Sequence, residues 1–533
     1  MKRQAIGLGL VWLLLAPFVC AEARIVTVTG TDSEAIAAAM AEAGPGDTVA
    51  LPAGTYAIRE AVRPKSGTRL EGAGQDQTVL RFEGEAPTVL LSVSGCEDVE
   101  ICHLTLDGNE DPKATQGISG GHARRLNVHH VTIRNLVKGG GFGPHGILFS
   151  GQNPTRERGV TDSVIADCRI ENVGVGAKFG GGIRLAWGSS CNRVLRNTID
   201  QTGRGGIFAD NGSAECVIQH NRVSGSGGEG LGIEVWGGCD RSVIEDNTID
   251  HWLSIGGCDY CAARRNTISD HSGAYKFCGI EGIGSCLVIT DNTIDGGQKI
   301  GLSVSSPQPK QYVYWADNVV RACNQWGAQF QGEAGGIACH YLYRCRFEEM
   351  PVGVGPVWYP GDEGHGFRSN GHCRDVTFEE CAFNGNHRLG IQFVGQGIDR
   401  LSFVRCAIKD NRGPAVRGPD DYTALEWTDC TVTGNASDAL PAAKPFAHPP
   451  PTSAFDAPET IRAGEPATFA NTSSAADGEI AAVLWDFGHG PPESNLNPTH
   501  TYDEPGDYRV TLIVWDTHGR AARAERKVAA VPE

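Results

Sequence analysis

Apolar and polar positions alternate in short runs along most of this chain, and the runs return at a near-constant interval. "VLRNTIDQTGRGGIFAD", "VIQHNRVSGSGGEGLGIEV", "VIEDNTIDHWLSIGG", "AARRNTISDHSG" and "VITDNTIDGGQKIGLSV" each place an Asn before a short β-branched pair. In most copies a Gly-rich turn and a second alternating run follow. Asn197, Asn221, Asn247, Asn266, Asn292 and Asn318 are separated by steps of 24, 26, 19, 26 and 26 residues. Period-two alternation predicts strands, and no helical period intervenes. A repeat of this length built from strands and turns predicts an all-β solenoid, each unit being one coil of a right-handed parallel β-helix. Successive coils then lie ~4.8 Å apart, the spacing of hydrogen-bonded strands.

The register extends outward if Cys takes the Asn place, at Cys168 before this block and at Cys345, Cys381, Cys406 and Cys430 after it. Small polar side chains stacked at an inward corner form a ladder in which each amide bonds its neighbours. A thiol fills the same corner as a small, nearly apolar group. Disulfides are the alternative for these cysteines in an oxidising compartment.

Residues 32–43 predict a short amphipathic helix started by Asp32 or Ser33, with Ile36 and Met40 on one face. Residues 44–56, "GPGDTVALPAGTY", follow it. This helix and strand resemble the N-terminal cap and first coil of pectate-lyase-like β-helix proteins. A cap is also required physically, because an open solenoid end exposes core and unpaired strand edge. The chain divides into a signal peptide (1–21), a β-helix (22–436), a Pro/Ala-rich linker (437–452) and a C-terminal domain (453–533). "VLWDFGHG" (Val483 to Gly490) and "NPTHTYDEPGDYRVTLIVWD" (Asn497 to Asp516) resemble the PKD domain, an Ig-like β-sandwich, with His489 replacing an Asp of that family's loop. Linker composition predicts a separable module whose deletion leaves the solenoid folded.

A basic start (Met1 to Gln4), an apolar run to Val19 and small residues offering cleavage after Ala21 or Ala23 read as an export signal, which places the protein outside the cell or in the periplasm. No later stretch has the ~20 apolar residues of a membrane span. A net charge of −17 opposes broad attraction to nucleic acid. A polysaccharide partner and a monomeric chain are expected.

Alternation places Ile183, Ile207, Ile233, Leu253, Ile280, Leu302, Phe367 and Ile391 inward. The outward row is then Leu148, Arg184, Phe208, Glu234, Ser254, Glu281, Ser303, Gln329, Arg368 and Gln392, with Asp210 and Trp236 on a second row. Lys178, Arg204, Trp252, Lys276 and Lys299 precede these strands. Glu234 and Glu281 fall two rungs apart, ~9.6 Å, and Asp210 lies ~8 Å from Glu234. Trp236 and Trp252 can stack on sugar rings. Two long loops carry His145 and His365, imidazoles suited to proton transfer.

"GFGPHG" (Gly141 to Gly146) resembles the "Y-G-F-D-P-H" motif of mannuronan C5-epimerases in Phe142, Pro144 and His145, whereas Gly143 and Gly140 replace its Asp and Tyr. "GHG" (Gly364 to Gly366) resembles the polygalacturonase signature without its partner Asp-Asp motif.

Candidate catalytic residues are therefore Glu234, Glu281, Asp210, His145, Lys276 and His365. Candidate substrate contacts are Lys178, Arg184, Trp236, Trp252, Lys299 and Arg368. Cys258 and Cys261 form an isolated CxxC, and no metal ligands are assigned. Calcium is compatible with such a protein, but no motif for it is present. Three functions fit: a lyase or C5-epimerase on uronic-acid glycan, an inverting glycoside hydrolase with paired carboxylates, or a non-catalytic glycan-binding protein.

Overall fold

The computed structural model describes residues 23–532, apart from 140–141, 227–230, 251, 270–276, 307–310, 356 and 420. The export signal and Lys276 lie outside the described residues. The chain forms a right-handed parallel β-helix followed by a small sandwich, and strands from Ile25–Thr27 to Thr431–Thr433 join in one parallel system. The helix α1 (Ser33–Glu42) covers the first coils, and Asp32 caps it by accepting the Ala35 N–H at 2.8 Å. Ile36 and Met40 are buried beneath it, as their spacing predicts.

The asparagines stack as expected. Asn197, Asn221, Asn247, Asn266 and Asn292 each donate from Nδ2 to the Oδ1 of the next Asn at 2.9–3.0 Å. That oxygen also accepts the backbone N–H of the preceding Asn. Each Nδ2 takes a backbone carbonyl besides, Ile218 for Asn247. The column passes to thiol at Cys345 and begins at Cys168, whose N–H donates to Asn197. The seventeen cysteines among the described residues are all free. A second ladder of Asn386, Asn411 and Asn435 stacks at another corner.

Inside, the strand-opening glycines let the walls close. A Cβ on Gly182 would come within 2.8 Å of the Ile199 side chain and 2.6 Å of the Gly206 carbonyl. His340 is fully buried in the later coils, accepting the Trp315 indole N–H at 3.1 Å and bonding Gln311 at 2.6 Å.

The C-terminal end differs from the expectation of a linker and a free module. Residues 437–452 lie across the final coil. Lys444 pairs with Leu425 by two backbone hydrogen bonds, and Pro441 accepts the Trp427 indole N–H, so the segment covers the open edge. The sandwich has its own core around Phe469, Trp485, Tyr502 and Leu512. It also docks on the flank of the solenoid. Leu484, Ile513 and Trp515 bury against Val288, Tyr314, Tyr341 and Tyr343 of the coils. Arg264, buried, is held by Glu245 and Asp486 at 2.7 Å each. Arg509 reaches Asp291 and Asp317 at 2.8 Å. Strand Gly506–Asp516 is apolar on both faces because it serves two cores.

Two outcomes follow from this architecture. Asn247→Ala should cost about 3 kcal/mol or more, because it strands the Asn221 N–H and the Ile218 carbonyl in the core. Asn247→Cys should cost less, since thiols occupy the same column elsewhere; urea midpoints rank the two. Asp486→Ala should cost about 3 kcal/mol by leaving Arg264 with one carboxylate in a buried interface. Removing residues 453–533 should lower the solenoid's melting temperature by baring its tyrosines, measured by calorimetry.

Candidate functional site

Five successive strands build the site: Gly181–Ala186, Gly205–Asp210, Leu231–Trp236, Trp252–Gly256 and Cys278–Ile283. Their register aligns Arg184, Phe208, Glu234, Ser254 and Glu281 in one row, as the alternation predicts. Asp210 pairs with Trp236 on the adjacent row. Inward Ile183, Ile207, Ile233, Leu253 and Ile280 are fully buried and fix the row's direction.

Over these rungs lies a cleft of about 830 Å³ containing Arg184, Asp210, Glu234, Trp236, Trp252 and Ser254. Its walls come from residues that strand alternation does not reveal. Phe142 and Phe179 stack with centroids 5.0 Å apart, Arg184 lies 4.6 Å over the Phe142 ring, and Trp187 is half-exposed nearby. The sequence signal for them is an aromatic residue in the turn before or after each strand, in "GFGPHG", "KFGGG" and "LAWG".

The charges inside are paired. Arg184 bonds Asp210 at 2.7 Å, and Arg204 bonds Glu234 at 3.3 Å. Burial, reinforced by Asp210, raises the Glu234 pKa against the pull of Arg204 and Arg184. Glu281 is buried and accepts the Ser254 hydroxyl at 2.8 Å. Burial first, then the Glu234 charge, push its pKa up to about 7, with the Ser254 hydrogen bond opposing. A carboxyl of this kind is a proton donor near neutrality.

His145 lies behind the cleft, fully buried. Its backbone N–H donates to Gln116 Oε1 at 2.7 Å, which fixes the orientation of that amide. Nδ1 lies 3.2 Å from the same oxygen, and the Phe179 backbone is the ring's other hydrogen-bonding neighbour. Burial first, then the charge of Arg184, lower the pKa of His145 to about 3, partly offset by the Phe179 backbone. The imidazole is neutral.

The remaining candidates sit elsewhere. Lys178 is exposed on the rim, 5.3 Å from the Phe179 ring. His365, Arg368 and Asp362 form a separate cluster under the second long loop. His365 accepts the Leu389 N–H on Nδ1 and donates to Asp362 from Nε2 at 3.2 Å, so both its nitrogens are engaged. Arg368 pairs with Asp362 at 3.1 Å and stacks on Trp326 at 4.4 Å. Lys299 is buried with its ammonium 4.6 Å from the Trp358 ring. These groups fasten the loop to the coils.

Residues 91–251 match the right handed beta helix region family and residues 448–531 the PKD domain family. A mannuronan C5-epimerase of Azotobacter vinelandii is 28% identical over 228 residues, 38% of this chain and 21% of that protein. A microbial collagenase of Vibrio alginolyticus is 38% identical over 79 residues, 15% of this chain and 10% of that protein. The chain thus spans about a fifth or less of the length of these relatives. Among solved structures, the A-module of a mannuronan C-5 epimerase of Azotobacter vinelandii superposes with a TM-score of 0.34 at 15% identity, covering 77% of this chain and 100% of that one. The chain is a right-handed parallel β-helix carrying a PKD domain. Among the described residues, no helix is long and apolar enough to cross a membrane.

The site makes the fold acid-sensitive in a defined direction. A free His binds a proton near pH 6.5, whereas folded His145 resists it to about 3. Its contribution to stability is full above about pH 6.5 and is lost as pH falls toward 3. Glu281 acts oppositely, holding its proton to about 7 when folded and so favouring the fold as pH drops from 7 to the ordinary carboxylate range. His145→Gln should therefore flatten the loss of melting temperature between pH 7 and 4, and Glu281→Gln should steepen it.

Proposed function

We propose that this chain is an extracellular enzyme acting on a uronic-acid-containing polysaccharide by abstraction of the sugar C5 proton, as a lyase or C5-epimerase. The observation that carries the reading is a neutral imidazole, His145, under the direct influence of the Arg184 charge behind an aromatic-walled cleft. Removing a proton beside a carboxylate needs a cation to neutralise that carboxylate and an unprotonated base. Arg184 and Arg204 supply the first, the neutral imidazole of His145 the second. Substrate reaches His145 by displacing Phe142, which stands more than half exposed over it. In elimination His145, having taken the C5 proton, returns it to the departing glycosidic oxygen on the same face as C4–O breaks and C4=C5 forms; in epimerisation a proton from solvent reaches the opposite face of C5. Phe179, Trp187, Trp236 and Trp252 offer ring faces to successive sugars. The similarity to a mannuronan C5-epimerase supports the substrate class. Gly143 and Gly140 stand where that family's motif has Asp and Tyr, so in this chain His145 is left to move the proton.

A second reading, inverting glycoside hydrolysis, is favoured by the carboxylates themselves. Asp210 is paired with Arg184 while burial raises the pKa values of Glu234 and Glu281, the division of labour an acid and a base require.

Incubating the purified chain in D2O with acidic and neutral polysaccharides separates these readings. Ultraviolet-absorbing unsaturated ends, or deuterium at C5 without cleavage, are expected. New reducing ends with neither signature would favour the hydrolase, and binding without any product would leave a glycan-binding protein. On the hydrolase reading turnover should fall as pH rises through about 7, when Glu281 loses its proton. His145→Gln should lower lyase or epimerase turnover about 100-fold while leaving binding largely intact, whereas Glu281→Gln should have that effect only on a hydrolase.

A further inference from the structure

Two early coils carry a side-chain cluster that the cleft chemistry does not use. Strands Glu100–Asp107 and Asn127–Leu136 pair in parallel with Cys102 opposite His129, which sets His103 beside His130. "CH" thus lies over "HH" on adjacent rungs. His103 and His130 both occupy left-handed corners, at φ 57° and 52°, so their backbones are fixed by the coil itself. Further along, the same corner column carries the Asp167–Arg196 ion pair; here it carries imidazole over imidazole.

We propose that Cys102, His103, His129 and His130 form a binding site for a transition-metal ion of zinc-like preference. The ligand atoms of Cys102, His103 and His129 all lie within 4.8 Å of one another. Zn–N and Zn–S bonds of ~2.0–2.3 Å place neighbouring tetrahedral ligands ~3.3–3.8 Å apart, within reach of small side-chain movements. His130 Nδ1 lies 2.9 Å from His129 Nδ1, a hydrogen bond that an ion held between the two rings would replace. The outer shell is also present. His129 Nε2 is 2.9 Å from Glu100 Oε1, and as donor to that carboxylate it leaves the Nδ1 lone pair for a metal. Arg69 pairs with Glu71 at 2.6 Å and Glu100 at 3.1 Å, holding in place the carboxylate that meets His129. Asp167 lies on the next rung within the field of His129 and His130. On binding, the Cys102 thiol gives its proton to solvent, and His130 moves its proton from Nδ1 to Nε2. The ion would cross-link two coils near the capped end, on a strand stack other than the one that builds the cleft.

The test uses the full chain stripped with EDTA. Calorimetric titration with ZnCl2 should show one ion per chain at micromolar affinity or tighter. Co2+ should give the intense visible bands of tetrahedral coordination and a near-ultraviolet thiolate band. His103→Asn, which tolerates the left-handed corner, combined with His130→Ala should weaken Zn2+ at least about 100-fold. Cys102→Ser should abolish the thiolate band. Exposed His130→Ala alone, expected to weaken binding measurably, carries the test if the double variant does not melt cooperatively. His448→Ala is the control, because His448, Asp477 and His518 also cluster; it should leave the titration unchanged. Absence of Zn2+ binding, or binding that survives the corner variants and disappears with His448→Ala, would overturn the assignment.

Discussion

The structure depends on one repeated constraint, a corner that each coil turns through a residue in the left-handed region. Asp167, Arg196, His220, Asp246, Arg265, Asp291, Asp317 and Arg344 all take φ between 49° and 58°. None is glycine, and each such turn costs an L-residue about 1 kcal/mol or more. The residue after each corner supplies the offset. From Asn197 to Asn292 it is an Asn whose amide bonds two neighbouring rungs and a backbone carbonyl, each buried bond contributing about 1 kcal/mol. The corner side chains add outward pairs, Arg196 to Asp167 and Arg344 to Asp317, both at 2.7 Å. These are exposed and contribute little. The amide column carries the register.

Because the column locks each coil over the last, the outward rows cannot slip. A one-residue slip would turn Arg184, Glu234 and Glu281 into the core and bring Ile183, Ile233 and Ile280 out. The rigid stack is therefore a platform on which loops decide the chemistry. The Phe142 loop and the turn bearing Phe179 rise over the early rungs, bury His145 and close one side of the cleft. Farther along, the second long loop is fastened by Asp362 to His365, Arg368 and Gln392. One scaffold thus holds a loop that shapes a cleft and a loop that seals a surface.

The ends and flank of the solenoid obey the same need to hide apolar surface and strand edge. Helix α1 covers the first coils and residues 437–452 the last. The sandwich covers a flank row in which Ala262, Val288, Tyr314 and Tyr341 replace the polar residues expected of a solvated face. Arg264 marks that contact, buried with carboxylates from both partners.

The sequence by itself determined the period, the strand register and the direction of each outward row, because amide spacing and period-two alternation are local and repeat at every coil. It also carries the mark of the double-faced strand around Ile513 and Trp515, since a strand apolar on both faces needs two partners. Only the tertiary structure decided which of the charged residues on those rows share a cavity. Lys299 and His145 look alike in sequence to exposed loop residues, yet Trp358 lies against one and Phe142 over the other. Cys102 and His129 are brought into one cluster by a rung that no motif announces. Asp486 meets Arg264 across 222 residues. Such contacts depend on how loops fold back and on which flank a second domain covers, and a local pattern does not encode either.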